Sequence, residues 1–237
     1  MTGNGERFLE LKDNLESHPF IEISKHRDDI TDNLWTLRRN FDLLKDFTED
    51  VAEDKESVLT GHLSEKTRVT NELYRLTHNY LASYYTQYQL ASTFRDSKFN
   101  DVSEEHYSEL MAKYDIRPTS DFLLGFRNYM QHQGMINQSR HYRWNRADKE
   151  EITRVVLFTD DLLEIDRWNN QAEQFIKNQE ESIRLVDVIQ DHHPDVLDFN
   201  DGIWDVAMKQ YEDEFEDYQR KRDEMNQIIT EKFDTSG

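Results

Sequence analysis

The chain predicts a mainly α fold: a bundle of long antiparallel helices with one small β-hairpin near 139–158. Three observations carry this. Glycine and proline number only 7 and 3 among 237 residues, too few for a turn-rich β architecture. Apolar residues recur at helical steps over long stretches, the mark of amphipathic helices. No Pro/Gly/Ser-rich linker interrupts the chain, so 1–237 is expected to form one continuous bundle rather than two separable domains. A chain of this length can bury a sizeable core.

Taken in order, Met1 to Gly5 is a loose end. Phe8, Leu11 and Leu15 mark a short helix that stops near Pro19. Ile30, Leu34, Leu37, Phe41, Leu44, Phe47 and Val51 alternate steps of three and four, a seam fit for antiparallel packing. The outer face of that helix, with Asp28, Asp29, Asp42, Glu49 and Asp50, is expected to be solvated. Gly61 marks a turn. A second long helix runs from about Leu63 to Phe94, with Leu73, Leu76, Tyr80, Tyr84 and Tyr88 on its buried side. Its aromatics, Tyr85 included, fit a core better than a platform for stacked bases. His78 and Asn79 sit mid-helix among apolar neighbours, where an amide needs a partner.

Val102 to Tyr114 predicts a short helix, broken at Ile116-Arg117-Pro118. Thr119 or Ser120 then caps a helix that ends around Gly134. Ser139-Arg140-His141-Tyr142-Arg143-Trp144 and Ile152 to Phe158 alternate, with Asn145-Arg146-Ala147-Asp148 as the turn, which gives the hairpin. Leu162, Ile165, Trp168, Ala172, Phe175 and Ile176 predict one amphipathic helix. Ile183, Val186 and Ile189 predict another, ended at His192-His193-Pro194. Those histidines beside Asp195 could hold a metal, but adjacent histidines before a proline fit a turn better. The last helix is expected from Phe199 to Phe233, lined by Ile203, Val206, Tyr211, Phe215, Tyr218, Met225 and Ile229.

Composition bounds the function. There is no cysteine, so thiolate catalysis, thiolate ligation and disulfides are excluded. No apolar leader opens the chain and no run approaches the roughly 18 apolar residues of a membrane span; the expectation is a soluble, cytoplasmic protein without membrane contact. The formal net charge of −20 is spread along the chain. Aspartate outnumbers glutamate and arginine outnumbers lysine, a balance that resembles proteins of extremely halophilic archaea. Such charge repels nucleic acid at low salt. In molar salt the screening length falls to about 3 Å, so the acidity does not exclude an RNA substrate. No Gly-rich phosphate loop, G-x-S-x-G, H-E-x-x-H or internal repeat is present.

The chemistry concentrates in Phe126-Arg127-Asn128-Tyr129-Met130-Gln131-His132. Asn128 and His132 are four apart and share a helix face. Arg127 points roughly 140° away from His132, so their convergence needs the arginine's length, a kink at Gly125 or a second subunit. An imidazole can move a proton near neutral pH, and a guanidinium can hold phosphate or stabilise a phosphorane. Together they could drive attack of an RNA 2′-hydroxyl on its own phosphate without metal or cofactor. The plainer alternative is that Arg127 and His132 pair with carboxylates and tie helices together. Arg140, His141, Arg143 and Arg146 form a basic cluster directly after this stretch. It is either a solvated hairpin or a phosphate-binding lip, with Arg140, Arg143 and Arg146 as substrate-binding residues.

The R-x4-H spacing of Arg127 and His132, with a polar residue after the arginine, resembles the signature of HEPN domains. The segment Tyr74-Arg75-Leu76-Thr77-His78-Asn79-Tyr80-Leu81-Ala82-Ser83 is similar to the "R-L-x-H-N-Y-L-A-S" segment of HEPN-like prokaryotic proteins. Leu124 to His132 is similar to their "F-R-N-Y-x-x-H" segment. The resemblance implies an HEPN-like core over about 28–134, with the hairpin and C-terminal helices at about 138–234 as an extension outside the family pattern. It implies Arg127 and His132 as catalytic pair, Asn128 orienting them, and Asn79 with His78 supporting the site. It further implies metal-independent RNA cleavage, a homodimer with two motifs facing one cleft, and a toxin or defence setting with an antitoxin or defence partner. Some HEPN-like proteins have lost activity and serve as binding scaffolds, which keeps a non-catalytic helical assembly protein as the alternative.

Overall fold

The computed structural model describes residues 3–53, 63–98, 108–110, 112–113, 117–133, 139–145 and 150–234. The elements are α1 (Gly3–Glu16), α2 (Phe20–Glu53), α3 (Leu63–Lys98), α4 (Arg117–Gln133), β1 (Ser139–Asn145), β2 (Glu150–Phe158), α5 (Thr159–Leu163), α6 (Asn170–Lys177), β3 (Ser182–Ile183), α7 (Leu185–Gln210) and α8 (Glu212–Asp234). The mainly α class with one small hairpin is therefore what the chain adopts. No helix among the described residues is long and apolar enough to cross a membrane.

The long hairpin of α2 on α3 is the frame. Asn33 donates to Gln87 and to the carbonyl of Ser83, while Asn40 donates to Ser83 and to the carbonyl of Asn79. Rising numbers on α2 meet falling numbers on α3, so the pair is antiparallel. Leu34, Leu37 and Leu44 are buried, as the spacing of α2 predicts. Asp28, Asp29, Asp42, Glu49 and Asp50 are exposed. On α3, Leu73, Leu76, Tyr80 and Tyr84 are buried, but Tyr88 is exposed and Gln87 faces inward at 1 % exposure. A polar network explains the exchange. The Gln87 amide donates to Asn200 of α7 at 2.5 Å, Asn200 donates to the Val196 carbonyl, and Asn33 donates to Gln87. Fully partnered amides can be buried without the cost of orphaned ones.

Two apolar clusters form the core. The larger joins α2, α3 and α4 to β2, α6 and α7 through Leu37, Leu76, Tyr80, Phe122, Phe126, Leu157, Ile176 and Ile189. The smaller joins the start of α2 to α3 and α7 through Phe20, Phe94, Phe199 and Ile203, with Phe215 and Tyr218 of α8 against it. Ile30 packs on both. Arg7 of α1 reaches Glu224 of α8 at 2.6 Å, an exposed pair that solvent screens. Buried His18 meets Asp217 at 3.1 Å.

Several sequence expectations are corrected. The stretch from Leu162 to Ile176 is two helices, not one. The Trp168 indole N–H donates to the Leu162 carbonyl at 2.6 Å, and the Asn169 side chain accepts from the Ala172 amide at 2.8 Å to cap α6. Ile183 lies on β3 rather than a helix, paired with Leu157 of β2, so the hairpin carries a third short strand in the order β1-β2-β3. Buried Leu157 and Ile183 tie that sheet into the main core. The His192-His193-Pro194 turn does not form, since α7 runs through it. Pro194 lies on the exposed face, where water can serve the carbonyl it leaves unbonded, while His192, His193, Val196 and Phe199 are buried on the other side. The last helical stretch breaks at Tyr211. Helix α4 begins at Arg117, so Pro118 sits in its first turn, where no N–H is needed. Thr119 and Ser120 are then inside the helix rather than capping it, and Ser120 turns inward to His192.

The hairpin itself stands where it was expected, with Ser139 opposite Val156 and Asn145 opposite Glu150. The turn with Arg146, the turn at Gly61, most of Val102 to Tyr114 and the helix end at Gly134 lie outside the described residues.

Candidate functional site

Helix α4 divides its faces sharply. Phe122, Leu123, Phe126 and Met130 are at most 3 % exposed and face the core. Gly125, Asn128, Tyr129 and His132, at i, i+3, i+4 and i+7, form the opposite stripe. That stripe is one wall of a cavity of about 370 Å³, and Ile165, Arg167 and Trp168 from the α5–α6 turn form the other. Asn128, His132 and Arg167 are exposed, so their polar ends are available to a ligand.

The turn is held firmly. Besides its bond to Leu162, the Trp168 ring stacks on Phe122 with centroids 5.7 Å apart. A backbone bond from Arg167 to Ile165 tightens the loop. Gly125 serves this packing: a Cβ there would lie 2.8 and 2.9 Å from two ring carbons of Trp168. Its role is close approach of the indole to the helix. Gly125→Ala is expected to destabilise the protein by up to about 2 kcal/mol, since overpacking costs about 1–3 and the helix gains about 1 from alanine. Urea unfolding of the variant checks this. A stabilised variant would show that Trp168 yields freely and that the cavity wall is soft.

The motif residues are only partly brought together. Arg127 turns away from the cavity to α3, where its guanidinium carbon lies 4.1 Å above the Tyr85 ring. Its Nη1 donates to Asn128 Oδ1 at 3.0 Å, and its Nε is buried without a hydrogen-bond partner among the described residues. Arg127 thus touches the cavity through Asn128, while His132 stands one turn beyond Asn128. His78 and Asn79 do not line the cavity. His78 packs near Tyr74, and Asn79 serves the α2–α3 contact through its carbonyl. Arg140 and Arg143 lie on β1; their side chains, and Arg146 altogether, are outside the described residues.

Beneath α4 lies a second polar group. His192 Nε2 is 3.3 Å from both the Tyr84 and Ser120 hydroxyls. His193 stacks on Phe41, with centroids 4.0 Å apart, and its Nδ1 is 3.4 Å from the Tyr80 hydroxyl. Burial, with His193 alongside, lowers the His192 pKa from 6.5 to about 4. Burial and Arg38 lower His193 to about 4, with Asp42 opposing. Burial and Tyr84 raise the Tyr80 phenol well above its ordinary value. Both imidazoles are neutral hydrogen-bonding core groups at neutral pH. No group of three or more metal-ligating side chains occurs among the described residues.

No family model, curated protein or solved structure matches the chain. The HEPN resemblance rests on the two segments quoted above.

Sequence reasoning missed Tyr129, Ile165, Arg167 and Trp168 as lining residues. The available signal was the run Asp166-Arg167-Trp168-Asn169-Asn170, polar but for Trp168. Asparagine before Gln171-Ala172-Glu173 is a helix-start pattern, and it places a turn where a continuous helix was expected.

Proposed function

We propose that the protein is a metal-independent RNA endonuclease of HEPN type, acting at the α4 cavity. One observation carries the reading: His132 and Asn128 are exposed together in a cavity, and Asn128 is fastened by the arginine of the same motif. In this reaction His132 accepts the proton of a 2′-hydroxyl, whose oxygen attacks the adjacent phosphorus. The bond from phosphorus to the 5′-oxygen breaks, and that oxygen takes a proton from water. The products are a 2′,3′-cyclic phosphate and a 5′-hydroxyl. Arg140, Arg143 and Arg146 on and beside β1 would form a lip for the strand. A homodimer, and an antitoxin or defence partner, belong to the same proposal. The test is purified protein against a mixed pool of single-stranded RNAs across salt concentrations, with His132→Ala as control. If both leave the pool equally intact, the nuclease reading is wrong.

A second reading, a non-catalytic binding or assembly protein, is favoured by the guanidinium of Arg127 on Tyr85, which links α4 to α3. It predicts that Arg127→Ala lowers stability and that neither Arg127→Ala nor His132→Ala changes any RNA product.

A further inference from the structure

We propose that Arg167, outside the R-x4-H motif, is the cation that holds a phosphate in the α4 cavity, and that Arg127 is a positioning residue acting through Asn128. The nature of the ligand, a phosphodiester of single-stranded RNA, rests on the nuclease reading above; the geometry of the cavity does not.

The motif arginine is committed elsewhere. Its guanidinium stacks on Tyr85 and bonds to Asn128, and it does not line the cavity. Holding a phosphate there would require giving up the stacking on Tyr85. Arg167 has no such commitment. Its side chain is exposed and makes no hydrogen bond or ion pair among the described residues, although Asp161, Glu164 and Asp166 stand nearby in sequence. Other cations of the chain, Arg7, Arg75, Lys177, Arg184, Arg220 and Lys221 among them, are held in ion pairs with carboxylates, whereas Arg167 also lines a cavity. An arginine left without a carboxylate, on a loop fixed by the Trp168 and Asn169 hydrogen bonds, is preorganised for an anion supplied from outside.

The rest of the wall fits the same ligand. Across the cavity from Arg167 stand His132 and the Asn128 amide, a proton-transfer group and a neutral polar group. Trp168 and Tyr129 give an aromatic flank on which a base or ribose can pack. The volume, about 370 Å³, lies at the low end of small-ligand sites, about 300–1,000 Å³. It suits one nucleotide unit of a strand rather than a duplex.

The experiment uses a fluorescein-labelled 2′-O-methyl oligoribonucleotide, which binds but lacks the attacking hydroxyl. Anisotropy titrations over a series of KCl concentrations compare wild type with Arg167→Gln, Arg167→Lys and Arg127→Gln. Arg167→Gln is expected to weaken binding about tenfold and to lower the salt slope by about one. Arg167→Lys should recover most of the affinity, because a point charge still neutralises a phosphate. Arg127→Gln should leave affinity within about twofold while cutting the cleavage rate, so the loss appears in kcat and not in KM. Equal unfolding midpoints for wild type and the Arg167 variants confirm that exposed Arg167 does not support the fold. If wild type cleaves nothing yet binding depends on Arg167, the nuclease reading falls and the phosphate site stands. If cleavage depends on His132 but Arg167→Gln binds like wild type, the site assignment is overturned and the nuclease reading stands. Absence of binding by wild type at every salt concentration also overturns the assignment.

Discussion

Replacing His132 by alanine is expected to slow RNA cleavage by roughly 10²- to 10⁴-fold, the usual worth of a positioned proton-transfer group. Its fold should survive, because His132 is exposed on the outer stripe of α4 and near the helix end. Exposed substitutions of this kind change stability by about 0.5 kcal/mol or less. The two-part outcome makes the result decisive. A loss of rate with an unchanged unfolding curve assigns chemistry to the side chain. Arg127→Ala should behave differently. Removing the guanidinium frees Asn128 and takes the cation from the face of Tyr85, a contact worth about 0.5–2 kcal/mol. Rate and stability should therefore fall together, the rate through a misplaced Asn128. Mass spectrometry of the RNA fragments supplies the chemical check, since attack by the 2′-hydroxyl leaves a cyclic phosphate or its hydrolysed form. Fragments ending in a 3′-hydroxyl and 5′-phosphate would exclude this mechanism, because they require water to attack instead.

The frame was legible because its signals are local and repeated. Ile30 to Val51 holds its spacing over six turns of α2, and no other period fits those residues. The hairpin showed itself in the same way, by alternation on both sides of a polar turn. What escaped depends on partners distant in sequence. Gln87 is buried instead of Tyr88 because Asn33 and Asn200 meet its amide, and nothing within α3 announces them. Pro194 stops a helix by local rules, yet α7 continues because buried side chains on both sides of it outweigh one lost hydrogen bond. The same division applies to the site. His132 and Asn128 share a face by arithmetic alone, and the angular separation of Arg127 was equally legible. That Arg127 would settle on Tyr85, and that a turn after α5 would bring Arg167 and Trp168 over Gly125, follow only from tertiary packing.

Stability is expected to fall steeply as pH drops from about 6.5 to about 4, with buried His192 and His193 as the cause. Folded, the His192 imidazole is buried and held near a pKa of 4; free in the unfolded chain it titrates at its ordinary 6.5. Above pH 6.5 both states are neutral and the histidine has no effect on the pH dependence. Between the two values the unfolded chain binds more protons, so unfolding becomes easier as pH falls. Below about 4 both states are charged and the loss levels off. At about 1.4 kcal/mol per pH unit the full loss for His192 is about 3 kcal/mol. His193 adds in the same direction, since burial and Arg38 hold it near 4 against the opposing pull of Asp42. The acidic surface acts elsewhere on the scale. Asp217, lowered to about 2 by Lys221, His18 and Arg220, withdraws its contribution only as pH falls below about 3.8. Urea unfolding of wild type and His192→Gln between pH 7 and 4 isolates the effect. The variant should start less stable, having lost the ring packed on Tyr84, and then lose less on acidification, so the two curves converge by about 3 kcal/mol. Curves that stay parallel would show that His192 reaches solvent and titrates in the folded state as it does in the unfolded one.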